Sequence, residues 1–377
     1  MALTTVTGSM ITPSTTLSGD VTVTGTMVMG SSFMRNRIIN GAMVIDQRNA
    51  GASFAGGGYS LDRWYSGLTT NAWTSQRSTV APTGFTNSLL VTVTTPQAPS
   101  TANLAYYLQK IEGFNTADFG WGTANAVTVT LSFWVRSSVT GTFAVAILNG
   151  AQNRSYVTTY TINSANTWEK ETITIPGDTT GTWATDNSSG PNIFFDLGSG
   201  SNFQTTANSW QAGTFLRTSG SSNFANTSSA TFYFTGVQLE IGTSATPFER
   251  RLYGQELANC QRYYYRIYPN ENARPLSTSG QAYSTTGFIV TCQFPVPMRT
   301  RPTALEQSGT ATHYAVFGAG TNAIACNSLI VYNAFTSNIL SILEGTVASG
   351  LVSGNATSLN TSASTGSNAY LGWSAEL

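Results

Sequence analysis

The chain has 377 residues and a mass of 40.0 kDa, enough for two or three domains and a sizeable core. Only 9% of its residues are charged, against roughly a quarter in an average protein, and Ser, Thr and Asn, about a third of the chain, take their place. Seventeen cations balance seventeen carboxylates and there is one His, which excludes a basic nucleic-acid footprint and a polybasic membrane-surface patch.

Residues 1–34 come first and stand apart: short β-prone stretches broken by Gly, as in 17–27, with few large side chains. Such a segment cannot close a core alone. It is expected either to attach and begin a fibre, in β-structure shared among identical chains, or to be a free arm. Its opening residues have neither the positive nor the apolar stretch of a secretory signal, and no run approaches eighteen apolar residues. The expectation is synthesis in a reducing cytoplasm.

From residue 35 onward apolar and polar residues alternate, as in 127–136 and 171–175, with Gly, Asn and Pro as punctuation. Period two predicts half-buried antiparallel strands, and their recurrence predicts a mainly β chain built of sandwiches rather than βαβ units. One helix interrupts them. Thr246, Pro247 and Glu249 fit a capping box, and Pro269 stops the pattern. Between them Tyr253, Leu257, Cys260, Tyr264 and Ile267, spaced four, three, four, three, fall on one helical face. Gly254 is its weak point, where the helix can begin late. The face is either a seam packed around a threefold axis or one helix laid on its own chain's sheet. A second β region follows, with strands over 288–294, 339–343 and 370–373, and a Ser/Thr/Asn/Gly-rich loop with short edge strands over 351–368. The expected organisation is 1–34 N-terminal segment, 35–250 β-sandwich, 251–268 connecting helix and 269–377 C-terminal β domain.

Catalytic chemistry finds little to work with. The sole histidine, His313, sits in no nucleophile motif, and no phosphate-binding Gly loop occurs. Cys260, Cys292 and Cys326 form no CxxC, so they read as buried free thiols, with no metal site and no cofactor expected. A polysaccharide hydrolase would need paired carboxylates, for which Glu169, Asp178, Asp186 and Asp196 are the candidates. Five N-x-S/T sequons, at Asn153, Asn187, Asn226, Asn355 and Asn360, are what this composition gives by chance. Aromatics beside amides, hydroxyls and Arg carry more. Sugar rings offer apolar faces for stacking and hydroxyl edges for hydrogen bonds. Trp134 and Arg136 share the strand face opposite Leu131, Phe133 and Val135, and Trp121, Trp183 and Trp210 lie beside Gly or small polar residues in expected loops. These five are the candidate glycan-binding residues, each with core or loop anchoring as its alternative role.

Two stretches go beyond pattern. Asn36-Arg37-Ile38-Ile39-Asn40-Gly41-Ala42-Met43 resembles the opening of galactose-binding-like, carbohydrate-binding-module jelly rolls, and Gly236-Val237-Gln238-Leu239-Glu240-Ile241-Gly242 with 245–249 resembles their closing strand. Residues 131–137 are similar to a central strand of the same module. An acidic residue such modules often carry just before the closing strand, tied to a structural calcium, is here Gly236. With 59–64, 181–186, 257–264, 294–299 and 369–377 added, the whole order resembles bacteriophage tail-fibre and related virion proteins. The resemblance implies a non-enzymatic, homotrimeric virion protein on a tail appendage, attached to other virion proteins through its N-terminal segment and binding host polysaccharide or lipopolysaccharide. It leaves a capsid decoration or head fibre, a polysaccharide depolymerase and a secreted bacterial lectin as alternatives.

Overall fold

The structure is a computed structural model that describes residues 34–98, 100–269, 271–318, 323–364 and 369–377. Nearly all of the expected N-terminal segment lies outside the described residues; residues 36–377 form one compact unit. The chain is mainly β. Its first strands are β1 (Phe54–Ala55), β2 (Gly58–Leu61), β3 (Trp64–Leu68), β4 (Trp73–Ser78), β5 (Ser88–Val93), β6 (Ala105–Glu112), β7 (Val129–Ser137), β8 (Gly141–Leu148), β9 (Arg154–Ile162), β10 (Glu169–Ile175), β11 (Ser189–Asp196), β12 (Trp210–Ala212) and β13 (Thr231–Ile241). They pair antiparallel into a six-stranded sheet, β1-β4-β5-β13-β7-β10, and a seven-stranded sheet, β12-β9-β8-β11-β6-β3-β2. The inward residues of β7, Val129, Leu131, Phe133 and Val135, meet Phe143, Val145 and Ile147 of β8 in a core completed by Trp64, Trp73, Tyr107, Phe195, Phe232 and Phe234.

Strict alternation fails on β8 and β11, whose residues are buried on both faces. The cause is a small second core on the outer side of the seven-stranded sheet, where Ala144, Ala146, Leu148 and Phe194 are covered by Leu216 and the half-buried Phe203 and Phe215.

The two stretches that bracket the sandwich in sequence touch in space. Asn36 Nδ2 donates to Val237 O (3.1 Å), and Asn36 Oδ1 accepts from the backbone N–H of Ile38 and of Leu239. Asn40 Nδ2 donates to Ile45 O and Asp62 O, and its Oδ1 accepts from Ile45 N. A Cβ on Gly41 would stand 2.2 Å from Val237 O, so only glycine fits where this segment crosses β13.

Helix α1 runs over Tyr253–Gln261, shorter than the predicted 251–268. The capping box does not form: Thr246 donates its N–H and hydroxyl to Glu240, and Glu249 N donates to Gln238 Oε1. Tyr264 and Ile267 leave the expected helical face because β14 (Tyr264–Ile267) pairs with a strand near the end of the sequence. Of the five seam candidates Tyr253 is exposed, Leu257 half-buried and Cys260 buried, so no continuous apolar helical seam exists.

The remaining strands are β15 (Pro275–Ser277), β16 (Gly280–Ala282), β17 (Gly287–Gln293), β18 (Glu306–Gln307), β19 (Tyr314–Gly318), β20 (Ile324–Val331), β21 (Leu340–Val347), β22 (Thr357–Thr361) and β23 (Leu371–Ser374). β14, β23 and β18 form a three-stranded sheet; the others form a seven-stranded sheet in the order β15-β22-β19-β20-β21-β17-β16. A bridge between Gln281 and Ala356 brings its two ends together around a core of Phe288, Tyr314, Leu343, Leu359 and Trp373. The stretch expected to be loop thus supplies β22, an interior strand rather than an edge one.

The two β regions are joined by ion pairs. Arg63, almost wholly buried, pairs with Glu376, which Arg48 also reaches at 3.3 Å. Arg262 Nε and Tyr263 Oη donate to Glu112 at 2.9 and 2.6 Å. Burial works to raise the Glu112 carboxyl, but Arg262 and Tyr263 outweigh it and hold it below its ordinary value.

Candidate functional site: an aromatic cleft on the six-stranded sheet

Trp134 stands on the outward face of β7, opposite Lys170 of β10 and Thr235 of β13. With Ser132 it floors a cleft of about 260 Å³ walled by Phe85, by Thr246 to Phe248 and by Arg250. Phe85 and Phe248 meet edge to face at 5.1 Å. The Arg250 guanidinium lies 4.8 Å from the Phe85 ring centre and 5.8 Å from that of Phe248, and Nη2 donates to Gly84 O.

The cleft depends on a break in β13. The β13–β7 register shifts between Thr235 and Gln238, and within that shift Gly236 adopts φ +63°. A Cβ there would come within 2.7 Å of Phe85 and 3.1 Å of Trp134, so glycine keeps the space between the two rings open. Further along the same face Arg136 lies over Tyr233 at 5.0 Å and donates from Nε to Asn166 O (2.8 Å), while Tyr233 packs against Trp168.

Trp121, Trp183 and Trp210 assemble elsewhere. Their rings meet edge to face with centres 4.7, 5.4 and 5.5 Å apart. Each indole N–H is taken by a loop carbonyl: Trp121 by Val127, Trp183 by Thr180 and Trp210 by Pro176. Trp121 is buried and the other two are half-buried against the main core. Beside them Arg154 forms a two-pronged bond with Asp178, at 2.9 and 2.7 Å. Burial alone would raise the Asp178 carboxyl; Arg154 and Thr180 outweigh it and hold it below its ordinary value. Trp121 and Trp183 thus fasten two loops against Trp210, which opens strand β12 instead of lying in the expected loop, whereas Trp134 lines the cleft.

The four carboxylates proposed for hydrolysis do not form a pair. Asp178 is held by Arg154, and Asp196 is fully buried against Arg217 and the Gly198 and Ser199 N–H groups. Glu169 accepts from Asn163 and Ser164, and Asp186 from Ser188. His313 Nδ1 lies 3.0 Å from Ser308 Oγ, a contact sequence reasoning did not foresee, but no carboxylate orients the other ring nitrogen among the described residues. Cys260, Cys292 and Cys326 are free and buried, and burial pushes the latter two thiols up to about 12. Among the described residues no group of His, Cys, Asp and Glu could hold a metal ion, and no helix is long and apolar enough to cross a membrane.

Phe85, Lys170, Phe248, Arg250, Tyr233 and Trp168 were not singled out from the sequence. Lys170 alternates onto the Trp134 face only once β7 and β10 are known to be paired. Phe85 lies between β4 and β5 and Phe248 after β13, far apart in sequence, and nothing in either local sequence marks them as neighbours.

No family model matches the chain, and no curated protein does. Solved structures similar to it include the enzymatically active domain of bacteriophage CBA120 tailspike protein 4, at 14% identity over 56% of this chain and 22% of that one, TM-score 0.31. The family 11 carbohydrate-binding module of the cellulosomal cellulase Lic26A-Cel5E of Clostridium thermocellum is 13% identical over 53% of this chain and 100% of that module, TM-score 0.27. TmCBM61, solved with β-1,4-galactotriose, is 8% identical over 55% of this chain and 99% of that one, TM-score 0.29. The chain thus spans less than a quarter of the tailspike domain and nearly all of each module.

Proposed function

We propose that this chain is a non-enzymatic bacteriophage virion protein, a tail-fibre subunit that holds host-surface glycan in the Trp134 cleft. The observation that carries the binding role is the cleft itself: an indole face kept open by Gly236 and ringed by hydroxyl, ammonium and guanidinium donors. An apolar platform with a few polar groups at its edge is the arrangement a sugar ring requires. The local commitments of Glu169, Asp178, Asp186 and Asp196 support binding without cleavage. A surface rich in hydroxyls and amides supports many weak contacts with a polymer over long-range electrostatic steering.

The proposed assembly is a homotrimer on a tail appendage, attached to the virion through residues 1–34, with 35–250, the connecting helix and 269–377 as successive parts of the fibre. Three copies of a weak site would give avidity without tight single sites. The test is titration of purified chain with host surface polysaccharide. Trp134→Ala should weaken binding about three- to tenfold, the loss of one stacking ring, with no reducing ends released by either protein. Full-strength binding by the variant would remove the cleft from the account; reducing-end release would remove the non-enzymatic reading.

A further inference from the structure

The outward face around Trp134 collects positive charge. Lys170 is exposed directly across from Trp134, Arg250 forms one wall, and Arg136 follows two residues along β7, on the same side of the strand. Among the described residues none of the three is within ion-pair distance of a carboxylate. Arg136 and Arg250 donate instead to the backbone carbonyls of Asn166 and Gly84, which position each guanidinium without neutralising it. Among the described residues no Asp or Glu lines the cleft; Glu240, behind the wall residue Thr246, is buried and accepts from Thr246 and Gln238. The two carboxylates beside Lys170 in sequence, Glu169 and Glu171, alternate to the other side of β10. Glu169 is occupied there by the N–H groups of Asn163 and Ser164.

This concentration stands out in a chain with equal numbers of both signs, whose described ion pairs take up eight of its fifteen arginines elsewhere. Three uncompensated cations beside an aromatic platform recognise a sugar that brings both an apolar ring face and an anion. We infer that the Trp134 cleft selects acidic polysaccharide, with carboxylate, phosphate or sulfate on the sugar, over neutral chains. The inference rests on the glycan-binding reading above and narrows its ligand.

The test uses the full chain and a panel of purified bacterial surface polysaccharides, each acidic member beside its charge-removed counterpart (carboxyl-reduced, desulfated or dephosphorylated). The acidic form should bind at least about tenfold tighter, with the difference shrinking as salt shortens the screening length from roughly 10 Å near 0.1 M to roughly 3 Å near 1 M. Lys170→Gln and Arg136→Gln should each shrink the preference for the acidic form over its neutral counterpart about three- to fivefold, the scale of one exposed charge pair, whatever each loses in affinity for the neutral form. Equal binding of both forms, lost in Trp134→Ala, would overturn the charge selectivity while the glycan site stands. Absence of any Trp134-dependent binding across the panel would overturn both.

Discussion

Trp121 is enclosed by Phe119, Trp183 and Trp210, and its N–H is fixed on the Val127 carbonyl. Trp134 has one face on the sheet and the other toward the cleft. The same side chain therefore does opposite work at the two positions. Trp121→Ala should cost about 3–5 kcal/mol, the usual range for emptying a large buried aromatic site, whereas Trp134→Ala should cost about 1 kcal/mol, the span of strand preference on a half-exposed face. Urea unfolding of the two variants checks this, and equal losses would mean Trp134 is a packing residue. In the sequence Trp121 stands between two glycines and Trp134 between Phe133 and Val135, neighbours that do not tell which ring ends up covered. What separates them is which distant loops cross over them. The grouping of Trp134 with Arg136 was legible because alternation along one strand is a local property; the assembly of Trp121, Trp183 and Trp210 was not, because it needs two loops and the start of β12 brought together.

At the scale of elements, the sandwich closes where the 36–43 segment meets β13. Both stretches carried a visible signature, and the reason is now physical: β13 pairs with β5 only as far as Phe234, and beyond it Asn36, Arg37 and Gly41 take the backbone groups of Val237 and Leu239. Gly41 lets the two backbones touch. Since the obstacle to a Cβ at Gly41 is a carbonyl of β13 rather than a flexible side chain, Gly41→Ala should lose about 3 kcal/mol or more. A thermal or denaturant midpoint within error of the parent chain would contradict the account of this crossing. The helix shows the limit of local reading. A 4-3-4-3 spacing fits one helical face, yet Tyr264 to Ile267 are β-prone aromatic and branched residues, and pairing with β23 captures them as a strand. The burial of β8 and β11 on both faces was illegible for the same reason, since it is imposed by a covering segment from residues 203–216.

Across the whole molecule, charge is rationed by place. The described ion pairs include a buried set at the junction of the two β regions, where Arg63, Arg48 and Arg262 meet Glu376 and Glu112. Breaking such pairs leaves a buried charge without its partner, so the junction cannot give up its carboxylates cheaply. Among the described residues the cations of the Trp134 face have no such partners, which is what the proposed recognition of an acidic ligand requires. Composition made the scarcity of charge plain, but not its allocation, which depends on contacts between residues hundreds of positions apart, such as Arg63 and Glu376. The mainly β class, the sandwich and the strand carrying Trp134 followed from alternation; the cleft walls, the junction and the interior position of β22 followed only from the fold. Glycan is proposed to occupy the outward face of the six-stranded sheet. The most direct test of this placement is amide hydrogen exchange of the full chain with and without bound polysaccharide. Protection is predicted over 132–136, 168–172 and 246–250; protection confined to the loops around Trp121, Trp183 and Trp210, or to the C-terminal β region, would contradict it.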